Sequence, residues 1–188
     1  MVQDVTQYFG RETSLDIKQL IDQCEFDVVG QCSAQLLETK PEVRDMCAAD
    51  RCQTYGRSWA CPPSCGSIEF YQDEINKRDT CYVVQSFGEI EDSFDFEGMM
   101  AVQEKQLNRV LKLNNLVKEV FPDALVLTAG PCILCEKCTC PDEPCRMPEK
   151  RLVSMEAAGL VVTEVCQHED IPSYHGPNTT AFTGCVLL

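Results

Sequence analysis

The sequence predicts an α/β fold: one domain over residues 1–188, with a small mixed sheet, a strand-helix-strand crossover, flanking helices and two irregular cysteine-rich metal loops. Three observations predict it. Thr80 to Phe87 is rich in β-branched and aromatic residues, Met99 to Phe121 carries apolar residues at three-and-four spacing, and Ala124 to Ala129 is a short apolar run of strand length. Strand, long helix, strand in that order makes a right-handed crossover with parallel strands. At 188 residues the chain can bury a core yet is short for two ordinary domains.

The elements follow in chain order. Residues 13–24 open with the capping residues Thr13 and Ser14 and set Ile17, Leu20, Ile21 and Cys24 on one face, as a helix does. Phe26, Val28, Val29, Leu36 and Leu37 show no clear period and leave room for a short strand. Pro41 starts a short helix that leads into Cys47. Gly56, Pro62, Pro63 and Gly66 exclude regular structure from residues 48–66, which form an irregular loop. Ser67 caps a helix that runs to Lys77, with Glu69 in its first turn. After the first crossover strand comes the long helix, carrying Met100, Gln103, Leu107, Val110, Leu111, Val117 and Phe121, and Pro122 stops it. Pro148 to Arg151 lead into a helix through Glu156, with Gly159 as its stop. Val161 to Cys166 fits helix or strand, and Ala181 to Leu188 reads as a closing strand. No internal repeat or linker interrupts this order.

Fourteen cysteines are the main functional signal. Met1 to Gly10 lacks the basic cluster and apolar run of an export signal, and no stretch approaches the roughly 18 apolar residues of a membrane span. The expected compartment is therefore the cytoplasm, where such a density of thiols points to metal binding or redox chemistry. A formal net charge of -14 repels phosphate backbones and anionic membranes, which argues against nucleic acid and membrane partners. The same charge serves solubility, and it suits docking onto a basic patch of a redox partner protein. Oligomeric state is not encoded in any feature of the chain.

Cys132-x2-Cys135-x2-Cys138, followed by Cys140 and Cys145, contains the core of the bacterial ferredoxin ligand run. Three thiolates at that spacing wrap one cubane and leave backbone amides pointing at its sulfides. For the fourth ligand, Cys140 follows Cys138 after one residue, too soon to reach the open corner, so Cys145 has the better reach and Cys140 is a substitute ligand or free thiol. Cys47-x4-Cys52-x8-Cys61-x3-Cys65 is looser and matches no standard signature. Trp59 and Tyr55 are placed to shield a cluster there or to serve as ordinary core. The reading is two iron-sulfur clusters, of the 4Fe-4S type, on these eight cysteines. Zinc is the rival metal, but zinc sites pair two C-x2-C knuckles across a spacer rather than crowding five cysteines into residues 132–145.

Other signatures fail. A radical S-adenosylmethionine triad would need a cysteine at position 68, which is Ile68; no C-x2-C is followed by His, and no phosphate loop or dinucleotide glycine pattern occurs. Cys24, Cys32, Cys81, Cys166 and Cys185 read as small buried hydrophobes, and His168 and His175 as surface residues. Arg146, Lys150 and Arg151, just after Cys145, are either cations for an anionic cluster or a solvated helix start.

Several stretches together resemble a prokaryotic family of predicted metal-binding proteins, domain of unknown function 2284. They are Cys52-x2-Tyr55-Gly56-x2-Trp59-x-Cys61-Pro62-Pro63, Gly130-Pro131-Cys132-x2-Cys135-x2-Cys138, Pro144-Cys145-Arg146-x-Pro148-Glu149-Lys150 and Ser154-Met155-Glu156-Ala157-x-Gly159. The resemblance implies metal binding through these cysteines and an anaerobic or facultative source. It also implies Cys132, Cys135, Cys138 and Cys145 as the second ligand set, because Cys140 lies outside the matching pattern. Cys65 lies outside its strongest part, and without Cys65 the first cluster has an open iron. Three functions compete: electron transfer to a partner protein, an enzyme that uses such an open iron, and a zinc module that organises a complex.

Overall fold

The computed structural model describes residues 17–188; the amino end read above for an export signal, and residues 13–16 of the first helix, lie outside them. Its strands are β1 (Val28–Ser33), β2 (Thr80–Glu89), β3 (Leu125–Thr128), β4 (Val153–Ser154) and β5 (Thr179–Leu187), in the sheet order β1-β2-β5-β3-β4. Residues 17–22 form helix α1. The other helices are α2 (Pro41–Ala48), α3 (Ile68–Asn76), α4 (Phe96–Val120) and α5 (Val162–Gln167). No helix among the described residues is long and apolar enough to cross a membrane.

The crossover exists, with a strand set into it. β2 and β3 flank β5 and are each antiparallel to it, so they run parallel to each other on either side of the closing strand. Period-two alternation in these strands sends side chains to two different cores. Cys81, Val83, Leu127, Cys185 and Leu187 enter one, with α3, α5 and the cysteine loops on that side. Tyr82, Val84, Val126 and Val186 enter the other, against Val110, Leu113 and Val117 of α4 and Ile17 and Ile21 of α1. The lone cysteines behave as small hydrophobes: Cys24, Cys32, Cys81, Cys166 and Cys185 are all buried.

Side chains set the helix boundaries. The Ser67 hydroxyl accepts from the Phe70 amide at 3.1 Å, as its capping role requires. The long helix starts three residues before the periodicity, at Phe96, because Asp95 accepts from the Gly98 amide at 2.8 Å. One expected element is absent: residues leading to Glu156 do not form a helix. Val153 and Ser154 instead pair in parallel with Leu127 and Thr128. Leu152 and Val153 are buried in opposite cores, which successive residues of an extended chain can do and a helix cannot. Gly159, at φ 95°, ends the turn that follows.

Candidate metal centre

The second cysteine loop leaves the carboxyl end of β3. Gly130 makes the exit: its φ is 74°, and a Cβ there would stand 2.2 Å from Nε2 of Gln103 on α4. Beyond it, Cys132, Cys135, Cys138 and Cys145 line one cavity together with Trp59, Arg146 and Arg151. Burial, and then the neighbouring sulfurs of Cys145, Cys135 and Cys138, push the Cys132 thiol up, against the opposing Leu134 amide. Cys138 moves the other way. Burial opposes its ionisation, but the amides of Cys140, Trp59 and Thr139 and the hydroxyl of Ser58 donate to its sulfur and bring it below the usual thiol range.

Two of those donors, Ser58 and Trp59, belong to the first cysteine loop. The loops also meet elsewhere: Trp59 Nε1 donates to the Glu143 carbonyl at 3.0 Å. Cys140 is buried and directs its thiol to the Gly56 carbonyl at 3.7 Å and the Ser64 hydroxyl at 3.5 Å. It fastens one loop to the other and lies outside the four-cysteine cavity.

In the first group, α2 carries Cys47, and the irregular loop brings Cys52 and Cys61 to it. Asp50 organises that loop by accepting from the Tyr55 amide at 2.9 Å and pairing with Arg57. The Cys52 and Cys61 sulfurs both approach Thr54 Oγ1, at 3.1 and 3.3 Å. Cys47, Cys52 and Cys61 line a mainly apolar cavity of about 390 Å³ with Tyr55, Gln103, Glu156 and Phe182. Burial, then Glu156 and Cys52, push the Cys47 thiol up. Cys65 is near Cys61 but does not line this cavity. It is buried, its sulfur faces the Ala157 carbonyl at 3.8 Å, and its own carbonyl accepts from the Tyr71 hydroxyl at 2.6 Å.

Glu156, which the sequence placed in a family stretch without a role, is the cavity residue that sequence reasoning missed. It stands in the turn after β4, half-buried, and burial pushes its carboxyl up against the opposing pull of its own amide and Ser154. The histidines do not join either cavity: His175 stacks on Phe87 at 4.0 Å, with Nε2 2.6 Å from Gln85 Oε1. A more spacious cavity, about 910 Å³, lies between Glu74, Lys77, Val120 and Leu188 and contains no thiol or imidazole.

The second donor set suits an anionic metal group. Its thiols line one cavity, amide donors are already aimed at one sulfur, and Arg151 Nε, on the same wall, is buried without a hydrogen-bond partner among the described residues. No group of three or more His, Cys, Asp or Glu among the described residues is drawn together as for a single ion.

No curated protein and no solved structure matches the chain. A family model described as predicted metal-binding protein does match, over residues 31–188, a span that includes both cysteine groups and Glu156. The chain belongs to that family, domain of unknown function 2284.

Proposed function

We propose that the protein holds two iron-sulfur clusters of the 4Fe-4S type and passes single electrons through them to or from another protein. Cys132, Cys135, Cys138 and Cys145 hold one cluster; Cys47, Cys52 and Cys61 hold the other. The observation that carries the reading is the Cys138 sulfur, which accepts from the Trp59 amide and the Ser58 hydroxyl of the first loop. Donors aimed at a ligand sulfur tune a cluster's potential, and here they come from the loop that holds the other cluster. A cluster supplies a reversible one-electron store. The chain's own residues set its neighbourhood: Trp59 lies against the second cavity, and Arg146 and Arg151 line it with positive charge.

The thiols' grouping also bears on the metal. Tetrahedral zinc with Zn–S of about 2.3 Å draws its sulfurs to within about 4 Å of one another, whereas a cluster of several metals spaces its ligands more widely. Five cysteines crowded into residues 132–145, three of them in C-x2-C-x2-C form, suit the second case. The net charge of -14 favours a partner that presents a basic patch. Anaerobic purification with iron, acid-labile sulfide and zinc analysis tests the proposal, with electron paramagnetic resonance after reduction. About eight irons and matching sulfide are expected. A colourless protein with zinc and no sulfide refutes it.

A further inference from the structure

We propose that Glu156 supplies the fourth, non-thiolate ligand of the first metal group, completing Cys47, Cys52 and Cys61 and leaving one metal exchangeable. This rests on the two-cluster reading above. The first cavity has three thiols in its wall, and Glu156 is the one carboxylate among its lining residues. The remaining cysteine of the group is committed elsewhere: Cys65 is 4% exposed, lies in the core and faces the Ala157 carbonyl.

Backbone bonds fix the turn that carries Glu156 in the cavity wall. Ser154 is paired in the sheet with Thr128, the Leu160 amide donates to the Met155 carbonyl at 2.8 Å, and the Gly159 amide donates to the Glu156 carbonyl at 2.9 Å. Through Ala157, Cys65 braces this same turn, which makes it a positioning residue. Among the described residues no Lys, Arg or His forms an ion pair with Glu156. The Glu156 carboxyl has its own amide and the Ser154 hydroxyl as donors, and Arg51, in the same cavity wall, forms no ion pair with it; a metal beside three thiolates supplies the cation that a half-buried carboxylate calls for. Carboxylate oxygen is a harder ligand than thiolate, so the metal it holds is the first to leave, and the cavity of about 390 Å³ gives a small oxygen-donor ligand access to it.

The test uses the full chain, reconstituted anaerobically with iron and sulfide, and reads iron content and electron paramagnetic resonance before and after mild ferricyanide oxidation. Wild type is expected to hold about eight irons, to give a three-iron signal from one cluster on oxidation as ferricyanide takes the electrons and ferrous iron leaves, and to lose that signal when ferrous iron is restored together with dithionite, which returns the electron. Glu156→Gln should hold about seven irons and give the three-iron signal on ferricyanide oxidation with no release of iron, the oxidant taking one electron from a cluster already short of iron, whereas Cys65→Ala should hold about eight. Glu156→Cys, which supplies a fourth thiolate, should resist oxidation and shows that the turn tolerates substitution. Glu156→Gln behaving as wild type, or Cys65→Ala losing the iron in its place, overturns the assignment while the two-cluster reading stands. Wild type without iron or sulfide overturns both.

Discussion

Ser58→Ala tests whether the first loop tunes the metal group of the second. The Ser58 hydroxyl is one of four donors to the Cys138 sulfur and is 5% exposed, so water does not replace it once removed. A hydrogen bond to a charged group is worth about 1.5–3 kcal/mol, and only the part that differs between oxidised and reduced clusters moves the potential. With about 1 kcal/mol of that differential, and about 59 mV per tenfold change for one electron, the potential of one cluster should fall by about 40 mV. The sign is fixed, because the reduced cluster carries the extra negative charge and gains more from the donor. Ser58 Oγ also accepts from the Ala60 amide at 3.2 Å, so the variant should lose about 1 kcal/mol of stability as well. Anaerobic voltammetry reads the first effect and denaturant unfolding the second. Ser58→Thr, which keeps the hydroxyl, should restore the potential. A Ser58→Ala protein that is less stable but has both potentials unchanged would refute the tuning argument, because Ser58 would then be only a structural acceptor.

Cys145→Ala should remove the second cluster's iron, while Cys140→Ala should keep all of it and loosen the loops; metal analysis checks the first, and quenching of the only tryptophan, Trp59, checks the second. Asp27 gives a pH test. Burial alone would push its carboxyl up, but Lys105 at 2.8 Å, the Phe87 amide at 3.1 Å and Arg109 at 3.1 Å hold it below the ordinary range. A depressed carboxyl stabilises the fold above its unfolded pKa of about 3.9, and that contribution is lost as pH falls through the folded value. Asp27→Asn should therefore cost about 1–2 kcal/mol in urea unfolding at pH 7, with the gap to wild type closing below about pH 4; a gap that ignores pH would count against the ion pairs. Gly130→Ala should lose about 1–2 kcal/mol, since its φ of 74° suits glycine and the new Cβ meets Gln103; thermal unfolding reads it.

The parts of this fold that sequence reveals are those with a period. The long helix, the β2 run and the closing strand each repeat their apolar positions often enough to announce a face. β4 has two residues, and no period can be read from two. Its chain is extended because of Leu127 and Thr128, some 26 residues away, and that partner is invisible locally. The same holds for β5, whose place between β2 and β3 is fixed by pairings at both ends of the chain. In the site, spacing pointed to Cys132, Cys135, Cys138 and Cys145, which share a cavity. Spacing grouped Cys65 with Cys61 because they are close in the chain, yet the prolines and Gly66 turn it inward to Tyr71 and Ala157. Glu156 stood inside a stretch shared with the family but with no role marked for it: one carboxylate among 30 acidic residues is noticed only once the turn after β4 places it in a cavity wall with three thiols.

That placement follows from topology. Of the strand pairs among the described residues, β3 and β4 form the parallel one; β1, β2, β5 and β3 are joined antiparallel. Parallel neighbours end side by side, and in α/β proteins the carboxyl ends of such strands are where ligands are held, because loops leaving them diverge and open a crevice. β3 delivers Cys132 through Gly130, and β4 delivers Glu156 through Met155, so each strand brings one cavity-lining residue to the same edge. Cys32, Cys81 and Cys185 lie within the antiparallel part, all buried in one core, where no crevice opens. Hydrogen bonds between neighbouring thiols, and then burial, push Cys32 and Cys81 well up. Position relative to the parallel pair therefore separates the cysteines that line a cavity from those packed in the core, and the loop from Cys47 to Cys61 joins the first class by reaching across to the edge that β3 and β4 make.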